Sequence, residues 1–228
     1  MNFSALHEKL NQYINKGRLK SPWVVHYDCG SCNGCDIEVL ACLTPVFDVE
    51  RFGIVNIGDP KHADVLLVTG TVNQRNKDVL KNIYDQMPEP KAVIAIGGGS
   101  PIDASKAIAV MAANPGDYWD YVSGGTGRAQ PIPNPPLPIV AVTTTAGTGT
   151  EADPWTVVTN GNEKIGFGCE ATFPKIAIVD PELMLTVPPQ LTAFQGFDAF
   201  FHAAECYLAN CATPVSELYS LKSIELIC

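Results

Sequence analysis

Short apolar runs alternate with longer amphipathic stretches along most of the chain, the pattern of strands buried on both faces of a parallel sheet and joined by helices. Residues 63–69 (ADVLLVT), 93–96 (VIAI), 137–142 (LPIVAV) and 176–179 (IAIV) are such runs, each expected to be a buried strand, and Trp23 to Tyr27 adds another short strand. Between the first two runs, Val79, Leu80, Ile83 and Tyr84 recur at helical spacing over residues 73–87, and Pro88 and Pro90 close that helix. A strand–helix–strand unit of this kind joins parallel strands by a right-handed crossover. Helices are also expected over residues 36–42, 101–113, 193–209 and 214–227, and an antiparallel hairpin around Asn160, Gly161 and Asn162. Phe3, Leu6, Leu10, Tyr13 and Ile14 predict an amphipathic N-terminal helix that packs on its own domain or docks on a partner. Residues 46–55 have mixed polarity, and residues 116–138 read as a Gly/Pro-rich surface loop holding Tyr118, Trp119 and Tyr121. The fold class that follows is α/β, a mostly parallel Rossmann-like or flavodoxin-like sheet followed by the beginning of a C-terminal all-helical domain.

Composition narrows the partners. The 228 residues are 46% hydrophobic and carry a net charge of −9, which disfavours nucleic acid and anionic membranes because both need clustered Lys and Arg. No stretch approaches the ~20 consecutive apolar residues of a membrane-spanning helix, and no export signal opens the chain, so a cytoplasmic protein without membrane insertion is expected. Three of the eight cysteines, Cys29, Cys32 and Cys35, have C-x2-C-x2-C spacing, and Cys42 follows. Thiolates in a glycine-containing loop suit soft iron or zinc, and His26 is expected to pack beside Tyr27 instead of joining them.

Two glycine- and hydroxyl-rich turns follow apolar runs. Gly97, Gly98, Gly99 and Ser100 come directly after residues 93–96, with Pro101 suited to a first helical turn. The N–H groups and partial positive charge of such a helix start are ready for a phosphate, whereas the plain alternative is a connecting turn. Residues 143–151 (TTTAGTGTE) come after the next strand and offer hydroxyls to a pyrophosphate or ribose, or cap their own helix. Asp198 and His202, four residues apart on one helix face, can hold a divalent ion such as Fe²⁺ or Zn²⁺ across one turn, or sit as a solvated Asp beside a core-edge His.

These motifs resemble two families joined end to end. From about residue 21 to 97, the stretches SPWVVHYDCGSCNGCDIEVLACLTPVFDVERFG and KHADVLLVTGTV are similar to the iron–sulfur small subunit of energy-converting NiFe hydrogenases and formate hydrogenlyase, related to the 20 kDa subunit of complex I. That resemblance implies that Cys32 and Cys35 ligate a 4Fe–4S cluster, with Glu38 in the same motif and two more cysteines from later in the family's chain; from this segment alone, only Cys29 and Cys42 would make up four thiolates. The family's next cysteine falls where this chain has Gly98 and Gly99.

From about residue 93 onward, GGGSPIDASKAIA, PLPIVAVTTTAGTGTEA, PKIAIVDPELMLTVPP and GFDAFFHAAECYLA resemble iron-containing (group III) NAD(P)-dependent alcohol dehydrogenases. This implies that Gly98, Gly99, Ser100 and Asp103 border the phosphates of NAD or NADP, that Thr144, Thr145 and Thr148 border the cofactor further along, and that Asp198 and His202 are the first two metal ligands. The family's two other histidine ligands are expected beyond Cys228, and its early strand with a ribose-binding acidic residue is expected to be missing. The chain is therefore divided into a hydrogenase-like segment at 1–97, a dinucleotide-binding part at 98–187 and the start of a helical metal-binding domain at 188–228. The activity implied is metal-assisted hydride transfer between a small alcohol or aldehyde and nicotinamide, with little or no turnover from this chain alone. The alternatives are an iron–sulfur electron-transfer subunit that partners a hydrogenase large subunit or other complex subunits, and a non-functional hybrid of two reading frames joined at the shared string VIAIG. A homo-oligomer is compatible with either reading.

Overall fold

A computed structural model describes residues 21–89 and 91–228; the N-terminal amphipathic helix expected around residues 3–14 lies outside the described residues. Six strands form one wholly parallel sheet: β1 (Trp23–Asp28), β2 (Val55–Asn56), β3 (Val65–Thr69), β4 (Ala92–Gly97), β5 (Val140–Thr143) and β8 (Ile176–Val179). Their order is β2-β1-β3-β4-β5-β8, and the hairpin β6 (Trp155–Asn160) and β7 (Glu163–Gly168) stands apart as an antiparallel pair. From β1 the chain moves outward to β2, then returns to β3 on the other side, so the strand order reverses between β1 and β3. In sheets of this kind, ligands bind outside the carboxyl ends of the strands at such a switch point.

The register brings the strand ends level. Asp28 pairs with Thr69 across β1 and β3, and Gly97 pairs with Thr143 across β4 and β5, so four loops leave the sheet at one edge. The helices after them are α1 (Gly34–Cys42), α2 (Lys77–Gln86) and α3 (Gly99–Ala113). Helix α2 starts later than its periodicity suggests, because Asn73 first turns the chain: its side-chain oxygen accepts from the Arg75 N–H at 2.9 Å. Residues 46–55, of mixed polarity, make a short 3-10 turn at Val49–Phe52 and the two-residue β2.

One core cluster joins Val25, Leu66, Val68 and Val93 of the sheet to Leu80 of α2 and Met87 beyond it, and a smaller one joins Ala95 and Ala141 to Ile102 of α3. Helix α3 buries Ile102, Ala109 and Val110, positions i, i+7 and i+8 of one helical face. The loop over residues 116–138 is more than surface. Tyr121 and Val122 are buried with Val110 and Phe167, and Tyr118 meets the Phe167 ring edge-on at 5.9 Å between centroids. Residue 97, where the two resemblances meet, lies inside this sheet, with β4 ending and α3 beginning on either side of Gly98.

Strand β8 corrects one expectation. Its apolar run suggests burial, yet all four residues are exposed, Ile176 at 50% and Val179 at 58%. Beyond it α4 (Pro189–Leu208) and α5 (Pro214–Ile227) pack on each other and leave Phe194, Phe197, Phe201 and Leu218 exposed. No helix among the described residues is long and apolar enough to cross a membrane.

Candidate functional site

The turn after β4 makes a cradle with the threonine loop after β5. Gly98 is the N-cap of α3 and no side chain caps it, so the first N–H groups of the helix are free of the usual side-chain acceptor. The loops are tied together by the Thr144 N–H, which donates to the Gly97 carbonyl at 3.0 Å, while the Thr143 hydroxyl donates to the Thr145 carbonyl at 2.9 Å. A Cβ on Gly98 would stand 2.6 Å from Thr145 Oγ1, and one on Gly99 would stand 2.9 Å from Thr148 Cγ2. Only glycine permits this approach. The Thr148 hydroxyl is buried and has no hydrogen-bond partner among the described residues, a situation that costs about 1–3 kcal/mol unless a ligand completes it. A dinucleotide phosphate fits these groups: uncapped helix N–H donors, side-chain-free backbone and an unspent hydroxyl.

Asp103 is one turn into α3, but its carboxylate turns to the protein. It accepts from the Thr150 hydroxyl and, at 3.0 Å, from the Val157 N–H of β6, while its backbone carbonyl accepts from the Thr156 hydroxyl. Burial raises its pKa above the usual carboxylate value, against the pull of these bonds and of Lys106. Asp103 thus anchors the hairpin under the cradle. Lys106, one turn on, has no exposed surface; its ammonium donates to Thr150 O and Oγ1 at 2.7 Å each, Asp153 Oδ1 at 3.0 Å and Trp155 O at 2.6 Å. Burial lowers its pKa, and the bond to Asp153 is the first force opposing that.

The cysteine segment lies at the same sheet edge, at the switch point. Strand β1 ends in Asp28, whose carboxylate accepts from the N–H groups of Gly30 at 2.8 Å and Ser31 at 2.7 Å. Burial works to raise the Asp28 pKa, but the bonds from Ser31 and Gly30, with His26 nearby, hold it below the usual carboxylate value. Behind it is a polar network that the sequence pattern did not reveal. His26 Nε2 is 3.1 Å from Asp36 Oδ1 and 2.9 Å from Thr69 Oγ1, and Asp36 also accepts from the hydroxyls of Thr69 and Ser31. His26 therefore does not simply pack beside Tyr27. The one available signal was an aspartate at the third position of a helix that begins at Gly34, where its charge suits the helix start.

The four cysteines are spread out. Cys29 is fully buried among Val25, Ala63 and Leu66, and burial, then the charges of Asp28 and Asp36, pushes its thiol up to about 12. It packs as part of the core. Cys42 is exposed seven residues after Cys35, ~10 Å along the α1 axis at the usual rise. Cys32 is exposed, and Cys35 is half-buried with its sulfur 3.4 Å from Thr144 Oγ1. Asp198 and His202 do share one face of α4, with Oδ1 and Nε2 3.6 Å apart. Their helix meets the threonine loop, since the Ala146 N–H donates to Gln195 Oε1 at 3.1 Å. Gly147, at φ +105°, has a conformation that suits glycine, and a Cβ there would be 2.7 Å from the Gln195 carbonyl and 3.3 Å from Asp198 Oδ2. Among the described residues no group of three or more His, Cys, Asp or Glu side chains is gathered to hold a metal ion. A pair is half of a tetrahedral shell, so these two residues do not by themselves fit iron.

Residues 57–181 match the family model described as iron-containing alcohol dehydrogenase, starting well before residue 93. An NAD-dependent methanol dehydrogenase of Bacillus methanolicus is 42% identical over 138 residues, 60% of this chain and 35% of that protein. A probable membrane-bound hydrogenase subunit of Pyrococcus furiosus is 56% identical over 85 residues, 36% of this chain and 51% of that protein. Among solved structures, the NADH-dependent butanol dehydrogenase A of Thermotoga maritima superposes with a TM-score of 0.69 at 26% identity, covering 93% of this chain and 50% of that one. The chain thus spans about half the length, or less, of the proteins it matches. The superposition takes in nearly the whole sheet, including strands from the hydrogenase-like segment. With the family model covering more than half of its residues, the chain belongs to the iron-containing alcohol dehydrogenase family and carries a hydrogenase-subunit-like segment within the same sheet.

Proposed function

We propose that the chain binds NAD(H) across the carboxyl edge of its sheet, as the dinucleotide-binding portion of an oxidoreductase acting on small alcohols or aldehydes. The observation that carries this is the buried Thr148 hydroxyl, without a hydrogen-bond partner among the described residues, beside Gly99 at the uncapped start of α3. The N–H groups of Gly99 and Ser100 would hold the pyrophosphate, Thr148 would donate to it, and Thr145 would close its side. Asp28 ends β1, two strands from β4, or ~10 Å at ordinary strand spacing. An acidic group there receives the hydroxyls of the adenosine ribose and repels a 2′-phosphate, which favours NAD over NADP. On this reading β1 supplies the early strand and acidic residue that the sequence led one to think missing.

Bound nicotinamide would accept a hydride from an alcohol carbon or return it to an aldehyde. Asp198 and His202 stand on the helix packed against the threonine loop, so they border the same edge; as only a pair, they leave this chain with little turnover of its own. The relative named for methanol and the solved structure named for butanol support a small alcohol as substrate. Titration of the reduced protein with NADH and NADPH, followed by cofactor fluorescence, tests the reading. Saturable binding with a preference for NADH is expected, and absence of binding sinks it. Rapid alcohol-dependent NAD reduction with stoichiometric Fe²⁺ would contradict the low turnover.

A second reading, an electron-transfer or assembly subunit, is supported by the hydrogenase identity and by apolar side chains around α1, where Ile37, Leu40, Phe47 and Phe52 are exposed. A hydrogenase large subunit is the partner this reading proposes, with further cluster ligands from outside the described residues. A low-temperature EPR signal from an anaerobic, reduced preparation is its test; a colourless, EPR-silent sample after iron and sulfide reconstitution removes it.

A further inference from the structure

Two thiols of the cysteine motif remain without a role in dinucleotide binding. Cys32 and Cys35 bracket Asn33, whose left-handed backbone (φ 65°) turns the chain into α1. The Cys32 sulfur lies back over that turn, 3.5 Å from where a Gly34 Cβ would stand, and is open to solvent. Cys35 faces the other way in part, its sulfur 3.4 Å from Thr144 Oγ1, a contact between residues 109 positions apart in sequence. Residues three apart in a turn generally have Cα atoms less than about 7 Å apart, a span that overlaps the roughly 4.4–6.8 Å a disulfide requires. Cys29 is enclosed in the core, so it does not compete for either thiol.

We infer that Cys32 and Cys35 form a reversible dithiol–disulfide couple that controls dinucleotide affinity through Thr144, an inference that rests on the dinucleotide reading above. The oxidant class is a small disulfide such as oxidised glutathione. The exposed Cys32 thiolate attacks one glutathione sulfur, breaking its S–S bond and releasing one glutathione. Cys35 then attacks the Cys32 sulfur of the mixed disulfide and releases the second. Two electrons pass from the protein to glutathione, and the two thiol hydrogens end on the two glutathiones formed. An S–S bond of about 2.05 Å draws the Cys35 sulfur toward Cys32 and away from Thr144, and removes the thiol hydrogen from that contact. Thr144 keeps its backbone tie to Gly97 but loses its side-chain support. The expected cost is about 2- to 10-fold in NADH affinity, the range that one hydrogen bond commands.

The test equilibrates the purified full chain in glutathione buffers of graded ratio, measures intact mass and mapped peptides, and titrates each form with NADH. The inference expects a form lacking two hydrogens, a linked Cys32–Cys35 peptide, weaker NADH binding and full recovery with dithiothreitol. Cys32→Ser, at an exposed position compatible with folding, and Cys35→Ser abolish the redox response, whereas Cys211→Ser keeps it. Absence of the Cys32–Cys35 linkage across the glutathione series, or equal NADH affinity in both forms, overturns the inference and leaves the dinucleotide reading standing. No NADH binding even by the reduced protein overturns both.

Discussion

The Lys106 ammonium donates to the Trp155 carbonyl at 2.6 Å, joining the helix that starts at the glycine cradle to the first strand of the hairpin. With the side chain wholly buried, its removal strands Asp153 and the carbonyls of Thr150 and Trp155. Lys106→Met is expected to destabilise the fold by about 3 kcal/mol, the range for breaking one side of a buried ionic contact. Urea unfolding at neutral pH measures it. Burial lowers the Lys106 pKa from 10.5, so between its lowered value and 10.5 the unfolded chain binds more protons and this residue's effect is to make stability rise with pH. The methionine variant lacks that contribution.

Thr148→Val separates binding from folding. The hydroxyl has no partner among the described residues, so replacing it by an isosteric methyl leaves unfolding stability unchanged or raises it by up to ~1 kcal/mol. NADH affinity falls about 3- to 10-fold if that hydroxyl meets the pyrophosphate. Equal affinity in both proteins would remove Thr148 from the site. Gly99→Ala, whose Cβ would be 2.9 Å from Thr148 Cγ2, is expected to lose more than tenfold by filling the cradle.

Asp36 is the hub of the polar group under the cysteine turn. Asp36→Ala leaves His26, the Thr69 hydroxyl and the Ser31 hydroxyl without their shared acceptor, and is expected to cost about 2–4 kcal/mol. Thermal unfolding, together with a shift of the His26 imidazole NMR signals, distinguishes loss of this network from a general loss of packing.

Cys29 predicts an alkaline limb. Its folded pKa, raised from 9.0 to about 12, means that the folded chain holds its thiol proton where the unfolded chain has lost it. The unfolded state binds fewer protons in that window, so this residue's contribution is fully present below pH 9.0 and is lost as pH rises toward about 12. Cys29→Ala is expected to show a shallower decline of stability through the window than the parent chain. In a native thiol assay, Cys32, Cys42 and Cys211 react, and Cys29 reacts only after unfolding.

Most of the sheet was legible because strands buried on both faces write themselves as apolar runs, and Gly98 and Gly99 marked the cradle because close approach admits no side chain. What the pattern could not convey was long-range pairing. Nothing local in DCGSCNGC shows that Cys35 meets Thr144, that Asp36 receives His26, or that Cys29 turns inward while Cys32 turns out. Nor did its place beside a phosphate-type turn show that the Asp103 carboxylate accepts from Thr150 and Val157. The apolar run of β8 signalled a strand correctly, but burial depends on what lies across from it.

That last strand sets how the molecule behaves in solution. With Ile176, Ile178 and Val179 uncovered and one flank lacking a hydrogen-bonded neighbour among the described residues, β8 is an adhesive margin. Sedimentation profiles that broaden with concentration, and recovery that improves in mild detergent, are the practical signature of such a margin, and they set the ceiling at which every titration above is best performed.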